Sequence, residues 1–433
     1  MQRGTGRIIA IAVALAGTAV MQASADEVTR WTQIMLTANH TAAVSGPLAS
    51  RNATIVEASI FDAVNGVKAI YTAVHVEPAA PKGTSERAAA MQAAYVSLMH
   101  LYPAQAATFT RLARLPWRRF SRTMAGLTIN RRCLKVSTPA LRGGSRLPMQ
   151  SGTGDSPMVS LRLPHPTSAT QIPATGARPT AFAPGAVPQF ATMKPWIILR
   201  PGQFRPAGPP ALGSTLYAQV FNETKTMGRS VGSPRTADQT LLVQFWQSSN
   251  ATYFWNAVAL RLTTLRDMSL LDNARLFAAL NVAIADSVIA SWDAKYYFHS
   301  WRPVTAIALA DTDGNLATTP DASWTPLIPT PSHPEYPSAH SSFSAGGVAV
   351  LVATFGEYIP FTVDSDAMPG VSRSFTSFDA ALAELADARV FGGIHFRTAC
   401  DDGKALGTAV GNYVLQNSFR PGRGNGSFDE EEK

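Results

Sequence analysis

Apolar residues recur at three- and four-residue steps along most of this chain, which is the spacing of one face of an α-helix. Before residue 105 the pattern runs through the segments EVTRWTQIMLTANHTAAV, NATIVEASIFDAVNGV and SERAAAMQAAYVSLMHL. Ser85 opens the last of these, where its side chain can cap the first helical turn. We find no convincing alternation of apolar and polar residues, which would mark a half-buried strand. The pattern therefore predicts an all-α fold, with an N-terminal helical segment over residues 26–105.

Helical spacing returns in the second half of the chain. Thr236 and Gln239 form a capping-box pair that predicts a helix start, and Asp272 is the predicted cap of a long helix further on. One face of that helix carries a stripe of residues, namely Phe277, Leu280, Ile284, Val288, Trp292 and Lys295. A buried ammonium without a partner is costly, so Lys295 is either a functional cation inside the protein or a lysine that reaches solvent near the helix end.

The stretch between these two halves, residues 106–215, is predicted to be irregular. Residues 112–163 lose the helical period, are rich in Arg, Ser, Gly and Pro, and contain one acidic residue, Asp155. Two hypotheses stay open for them: a disordered basic loop, or a span translated from a shifted reading frame. Residues 164–210 are rich in proline, which predicts an extended segment that wraps around the helices.

Composition restricts the classes of function. The 433 residues are 46% hydrophobic and 15% charged, which is enough apolar material for a large core in one or two domains. A net charge of +8 would suit a nucleic-acid or membrane partner, but the excess lies in the one basic stretch, which lacks patterned aromatic residues and an amphipathic face. We therefore expect no nucleic-acid partner and no stable membrane insertion. Cys133 and Cys400 predict no disulfide framework.

The two ends of the chain have features of their own. A basic start, the apolar run IIAIAVALAGTAV and the small residues Ala23 and Ala25 precede Asp26. They predict a signal peptide over residues 1–25 and a secreted or periplasmic protein, with an uncut membrane anchor as the alternative. Residues 421–433 form a polar tail.

Three short motifs carry candidate chemistry, and the first is KYYFHSWRP. Arg302 follows Lys295 by seven residues, close to two helical turns, and Pro303 ends or kinks the helix. Two cations on one inward face suggest an anion between them. Surface cations at this spacing are the alternative.

The second motif is HPEYPSAHSSFSAGG, which predicts a helix start at Ser338. The free N–H groups of the first turn and the Ser338 hydroxyl would then point to one spot, an arrangement that favours phosphate-like anions. His340 falls in that first turn, where an imidazole can donate a proton to an anion or its leaving group. The alternative is a serine that only caps and a histidine that only packs.

The third motif is ADARVFGGIHFRTACDDG. Arg389 and His395 lie six residues apart, and Gly392 and Gly393 between them permit a break or a close backbone approach. A guanidinium matches oxyanions, and a neutral imidazole is a good nucleophile or metal ligand. A surface ion pair for the arginine and a satisfied core histidine are the alternatives.

Together, the three motifs resemble the signature of the superfamily that contains vanadium-dependent haloperoxidases and type 2 phosphatidic acid phosphatases. The matching segments are KYYFHSWRP from Lys295, PSAH from Pro337 and ARVFGGIH from Ala388. The resemblance predicts a catalytic helical domain over residues 216–420. It implies an all-α core of two four-helix bundles, with the site inside the second bundle and the proline-rich segment wrapped around them.

The resemblance also implies roles for individual residues. The set that would bind vanadate, or phosphate in the same pocket, is Lys295, Arg302, Ser338, Ala339, Arg389 and His395. His395 would bond to vanadium in a peroxidase or attack phosphorus in a phosphatase, and His340 would be the acid–base residue. Trp292 and His333 match positions near the halide, and a histidine at 333 resembles the bromoperoxidases. A packing tryptophan and a loop histidine are the alternatives for these two.

Three departures from the family pattern bear on the chemistry. Ala339 replaces the usual glycine, and its methyl group would crowd an anion that relies on the neighbouring N–H. Ala388 replaces a serine. Ala399 stands where phosphatase members carry an acidic residue, and Asp401 and Asp402 are near but displaced, so the carboxylate that would orient His395 stays open. The absence of an acidic residue at position 399 argues against a phosphatase.

The resulting prediction is a vanadate-dependent haloperoxidase-like enzyme that oxidises bromide or iodide with hydrogen peroxide and acts on a small organic substrate. One alternative is an acid phosphatase with a phosphohistidine intermediate, and another is an inactive oxyanion-binding homologue. The sequence sets neither the organic substrate nor the oligomeric state.

Overall fold

α-Helices dominate the structure, a computed structural model that describes residues 26–75, 80–120, 187–248, 250–365 and 368–422. The helices are α1 (Glu27–Thr41), α2 (Gly46–Lys68), α3 (Glu86–Leu101), α4 (Ala106–Phe120), α5 (Thr215–Met227), α6 (Ala237–Ser248), α7 (Ala251–Thr263), α8 (Leu270–Phe298), α9 (Pro303–Ala308), α10 (Ala339–Phe355), α11 (Phe378–Phe391) and α12 (Arg397–Asn417). The all-α class is confirmed. The sequence pattern missed one antiparallel hairpin, formed by β1 (Phe361–Asp364) and β2 (Ser372–Phe375).

The long helix α8 joins the two halves of the molecule. It packs against α2 on one side and against α10 and α12 on another. Every member of the predicted apolar stripe is at most 2% exposed, because the stripe faces these neighbours. The segment Leu270–Ala308 is, among the described residues, the one long and apolar enough to cross a membrane, but 94% of its apolar window is buried inside the protein. Such burial is what a core helix requires.

Helix caps confirm some predicted boundaries and correct another. Ser85 caps α3, and Thr236 and Gln239 exchange backbone and side-chain hydrogen bonds of 2.9 and 3.1 Å at the start of α6. Asp272 is not the cap of α8, because Ser269 has that role. The Ser269 hydroxyl accepts the Asp272 N–H at 3.1 Å and donates to the Asp272 carboxylate at 2.7 Å. The cap therefore lies one turn earlier than predicted.

The start of the predicted irregular stretch is also corrected, because α4 continues to Phe120. Residues 121–163, to which the loop and reading-frame hypotheses apply, lie outside the described residues. The predicted signal peptide, Cys133 and the tail beyond residue 422 lie outside them as well.

The described part of the proline-rich segment lies along α8 in two short 3₁₀ turns, Pro188–Thr192 and Pro201–Phe204, without an α-helix or strand in residues 187–210. The fully buried carboxylate of Asp286 holds this segment by accepting three consecutive backbone N–H groups. They belong to residues 196, 197 and 198, at 2.7, 2.8 and 3.0 Å. Burial raises the pKa of Asp286 to about 6, although these N–H groups act in the opposite direction. The wrapping segment is thus pinned to the same helix that carries Lys295.

The prediction that Arg302 continues the face of α8 is wrong. The helix ends at Phe298, and His299 adopts a left-handed conformation with φ of 51°. Arg302 caps the separate short helix α9, in which Pro303 is the first residue, a position where its missing N–H costs nothing. A change of chain direction, and not helical periodicity, brings Arg302 towards Lys295.

Candidate active site

The structure buries every residue of the predicted oxyanion-binding set. The exposed fractions are 0% for Lys295, 2% for Arg302, 0% for Ser338, 4% for Ala339, 0% for Arg389 and 2% for His395. The surface alternatives for the lysine and the two arginines are therefore wrong. These residues come from the end of α8, the starts of α9 and α10, the last turn of α11 and the turn between α11 and α12. The sequence-distant motifs thus meet in one place.

The Lys295 ammonium holds the loop that precedes α10. It donates to the carbonyl oxygens of Pro334 at 2.9 Å and Glu335 at 3.0 Å, and to that of Pro337. Burial, followed by the charge of Arg302, lowers the pKa of Lys295 well below its ordinary value. An ammonium has three donors, so this lysine contributes its charge and the shape of the loop to the site.

Arg302 connects the same loop to the turn before α12. Its Nε donates to the His333 carbonyl at 2.9 Å and its Nη1 to the Ile394 carbonyl at 2.7 Å. Nη1 also lies 3.1 Å from Nε2 of His395, and Nη2 lies 3.0 Å from Nδ1 of His333. Because a guanidinium only donates, both ring nitrogens accept. Burial lowers the pKa of Arg302 to about 10.

His395 is held at both ring nitrogens. Its Nδ1 lies 2.9 Å from Oε1 of Glu335, a carboxylate that is 1% exposed. The partners assign the proton to Nδ1 and the free electron pair to Nε2, which faces Arg302. Burial and then the Arg302 charge lower the pKa of His395 well below its ordinary value, which keeps the ring neutral. Burial raises the pKa of Glu335 to about 7, against the Phe396 N–H and the nearby cations.

Arg389 has donors that the described residues leave unused. Its Nη1 donates to Oε1 of Gln247 at 3.3 Å, whereas Nε and Nη2, both buried, have no partner among these residues. Burial lowers the pKa of Arg389 to about 10. Buried polar groups are normally satisfied, so an exception calls for an explanation. A fully buried guanidinium with two unpaired donor nitrogens beside two other cations fits an anion with several oxygens.

The helix start at Ser338 is confirmed. Ser338 caps α10, and its hydroxyl accepts the Ser341 N–H at 3.4 Å and the Ser341 hydroxyl at 3.1 Å. Ala339 is the first helical residue and His340 the second. The N–H groups of this turn and the positive end of the helix dipole therefore lie next to the buried cations. His340 is partly exposed, as a residue that exchanges protons with solvent requires.

The rings of Trp292 and His333 pack against each other. Their ring centroids lie 5.1 Å apart, and Trp292 also stacks on Phe343 at 5.6 Å. Burial, followed by the charges of Lys295 and Arg302, lowers the pKa of His333 well below its ordinary value. His333 therefore contacts both Trp292, the predicted halide-side tryptophan, and Arg302.

A glycine turn delivers His395 to the site. Gly393 has φ of 75°, and a Cβ on it would lie 2.5 Å from the Gly228 carbonyl oxygen and 2.9 Å from Pro326. This is the break predicted between Arg389 and His395. Thr224 adds support from α5, because its hydroxyl donates to the His395 carbonyl at 3.2 Å.

Glu335 is the functional residue that the sequence reasoning missed. The family pattern points to position 399, after His395, whereas this carboxylate comes from the loop before Ser338. One signal was available, since Glu335 is the only acidic residue between Asp321 and Glu357 and lies between prolines in an otherwise uncharged stretch. Asp402, noted as displaced from position 399, accepts instead from the Tyr336 hydroxyl at 2.5 Å and so fixes the same loop.

Family comparison agrees with this geometry. Residues 275–422 match the family model of the VCPO second helical-bundle domain, a range that contains all three motifs. The matched range and its motifs agree with the resemblance to the superfamily of vanadium haloperoxidases and type 2 phosphatidic acid phosphatases.

Similar proteins have been characterised under haloperoxidase names. Vanadium chloroperoxidase of Curvularia inaequalis is 28% identical to this chain over 173 residues, which cover 29% of this chain and 28% of the relative's length. A bacterial vanadium-dependent iodoperoxidase structure has a TM-score of 0.67 at 21% identity, covering 90% of this chain and 94% of that one. A holo-type bacterial vanadium-dependent chloroperoxidase gives 0.59 at 18% identity, covering 93% and 95%. The solved structures share the fold of this chain.

Proposed function

We propose that this protein is a vanadate-dependent haloperoxidase-like enzyme that uses hydrogen peroxide to oxidise a halide, with bromide or iodide favoured, for the halogenation of a small organic substrate. The observation that carries the proposal is the fully buried Arg389, whose Nε and Nη2 lack partners among the described residues. It lies with two further buried cations and the neutral His395. A compact oxyanion with an atom that accepts an imidazole electron pair satisfies all of these groups.

The residues present fit vanadate. Arg389 would bind its oxygens through Nε and Nη2, Ser338 through its hydroxyl and Ala339 through its backbone N–H. Arg302 and Lys295 would supply positive charge, and His395 would offer Nε2 to the metal. Bound vanadate supplies Lewis-acid activation of hydrogen peroxide.

Proton movement is proposed for His340. It occupies the second position of α10, next to the N–H groups that would hold the anion, so its imidazole would deliver and remove protons at the oxygens bound there. Its partial exposure gives it access to solvent protons. Trp292 and His333 would exclude water from the side at which the halide enters.

A soluble acid phosphatase with a phosphohistidine intermediate is the second candidate. It is favoured by one specific contact, the 2.9 Å hydrogen bond between Glu335 and Nδ1 of His395. The missing acidic residue at 399 had argued against a phosphatase, and Glu335 supplies that carboxylate from another part of the chain. An inactive oxyanion-binding homologue is the third candidate, because the Ala339 methyl stands at the anion's N–H donor.

A paired assay separates the candidates. Purified protein is loaded with vanadate and given hydrogen peroxide and bromide or iodide with a halogenation indicator, and a vanadate-free sample is given p-nitrophenyl phosphate. Halogenation that disappears in His395→Ala supports the haloperoxidase. Hydrolysis that vanadate inhibits supports the phosphatase, and anion binding with neither activity leaves the inactive homologue. Secretion or periplasmic location is part of the proposal, and amino-terminal sequencing of the exported protein tests it.

A further inference from the structure

Glu335 is placed by more contacts than an ordinary loop side chain. Its backbone N–H donates to the Ser300 carbonyl at 3.1 Å, and its own carbonyl accepts from Lys295 at 3.0 Å. The next residue, Tyr336, is fully buried and tied to Asp402. The backbone that carries the carboxylate is therefore held in place by contacts within the protein itself.

The carboxylate accepts from two donors of the turn before α12. Oε1 of Glu335 lies 2.9 Å from Nδ1 of His395 and accepts the Phe396 N–H, also at 2.9 Å. An oxygen that accepts a backbone N–H has no reason to carry a proton of its own, so the hydrogen in the first contact belongs to Nδ1. The neutral ring then presents its electron pair at Nε2, where Arg302 donates from 3.1 Å.

We infer that Glu335 is the positioning residue of His395: it selects the tautomer with the electron pair on Nε2 and increases the basicity of that nitrogen. A carboxylate on the far nitrogen of a ligating imidazole has this effect in metal sites. The role therefore comes from the loop before α10 and not from the helix after His395. The inference rests on the proposed function, since it needs an electron acceptor at Nε2.

The test compares two anions that use the pocket differently. Vanadate can bond to Nε2, whereas inorganic phosphate is held by hydrogen bonds and charge. Calorimetric titration of Glu335→Gln should show vanadate bound roughly 10- to 100-fold more weakly and phosphate bound within about threefold of the wild type. Asp286→Asn is the matched control, because it also removes a buried carboxylate that accepts backbone N–H groups, and it should not change the ratio of the two affinities.

A ¹⁵N spectrum of the histidine rings gives a readout that loss of structure alone would not produce. In the wild type without anion, the His395 resonances, assigned by comparison with His395→Ala, should report a proton on Nδ1. Glu335→Ala should shift them towards the other tautomer or to exchange between the two. Glu335→Asp, which keeps the charge, should recover part of the vanadate affinity.

Each outcome decides one question. Wild-type protein that binds neither anion contradicts the proposed function, while the ring spectrum still tests the position of the proton. Protein that binds both anions, with Glu335→Gln binding them in the wild-type ratio, overturns the inference. If Glu335→Gln does not fold, a proton on Nε2 in the wild-type spectrum overturns it equally.

Discussion

Nη1 of Arg302 lies 3.1 Å from Nε2 of His395 while the same nitrogen donates to the Ile394 carbonyl at 2.7 Å. One planar group thus fixes both the ring and the backbone before it. These two contacts join Arg302 to residues 92 and 93 positions further along the chain. A lysine ammonium would not keep both, because only a guanidinium offers several donors in a fixed planar fork.

Arg302→Lys should therefore weaken vanadate binding by roughly 10- to 100-fold and lower stability by about 2 kcal/mol, since buried acceptors lose their donors. Calorimetric titration and urea unfolding measure the two effects. Arg205→Lys is the control: Arg205 makes a comparable fork with Asp293, at 2.8 and 2.9 Å, and does not hydrogen-bond to any of the six predicted oxyanion-binding residues. Vanadate affinity equal in the two variants would contradict the assigned role.

Arg389→Met should abolish the thermal stabilisation that phosphate or vanadate gives, while leaving the anion-free protein as stable as the wild type or more so. The reason is that Arg389 is a buried cation with unused donors and no carboxylate partner among the described residues. Burying a charge without such a partner is costly, so an apolar side chain of similar length should not lower the stability. Thermal melts with and without anion give both numbers.

The contrast for that experiment is Arg373→Met. Arg373 is paired with Asp238 at 2.9 Å and Glu384 at 2.6 Å, so its loss should destabilise the anion-free protein and preserve the anion-dependent shift. A wild-type shift that persists in Arg389→Met would mean that the anion binds elsewhere.

Ala339→Gly should tighten vanadate binding several-fold, because removing the methyl lets an oxygen approach the N–H at the start of α10. The cost in folding stability should be about 1 kcal/mol or less. Ala345→Gly, a replacement of a buried alanine in the same helix, should bring a similar cost without the gain. If vanadate affinity stays unchanged in Ala339→Gly, the methyl does not limit access.

Glu57 makes the stability of the N-terminal helices depend on pH. It is fully buried in α2, and burial raises its pKa from 4.5 to about 8. Between these values the folded state holds one proton more than the unfolded state, so its contribution to the free energy of unfolding is complete below pH 4.5 and falls as pH rises towards 8.

Glu57→Gln cannot lose a proton, so its stability relative to the wild type should increase from pH 5 to pH 9, by roughly 1.4 kcal/mol for each pKa unit of the shift. Urea unfolding at pH 5, 7 and 9 measures this difference. A difference that is constant across the range would contradict a raised pKa for Glu57.

Local rules predicted much of the scaffold. The stripe from Phe277 to Lys295 was readable because the period of a buried helix face does not depend on its partners. The caps at Ser85 and Ser338 were readable because a serine before a helical run satisfies N–H groups that every helix leaves free. The motifs then led to the cations and histidines that the fold buries together.

Contacts between residues that are distant in the sequence could not be predicted from local patterns. Glu335 meets His395 across 60 residues, and nothing in the spacing of either motif encodes that contact. Helical periodicity predicts Arg302 on the face of α8, because the spacing of apolar residues does not indicate that His299 adopts a left-handed conformation and ends the helix. The predicted oxyanion role of Lys295 likewise could not reveal that its ammonium bonds to the loop carbonyls.

Pro334 and Pro337 have no N–H, so the loop around Lys295 offers oxygen atoms with few competing donors. Together with the carbonyl of Glu335, these oxygens surround one ammonium, as the oxygens of a crown ether surround a cation. A protein carrying Lys295→Gly would keep the three carbonyl oxygens and lose the ammonium that they bind. A small free amine such as ethylammonium could then fill it, and anion capture would become a function of amine concentration in solution, measurable as amine-dependent recovery of phosphate binding.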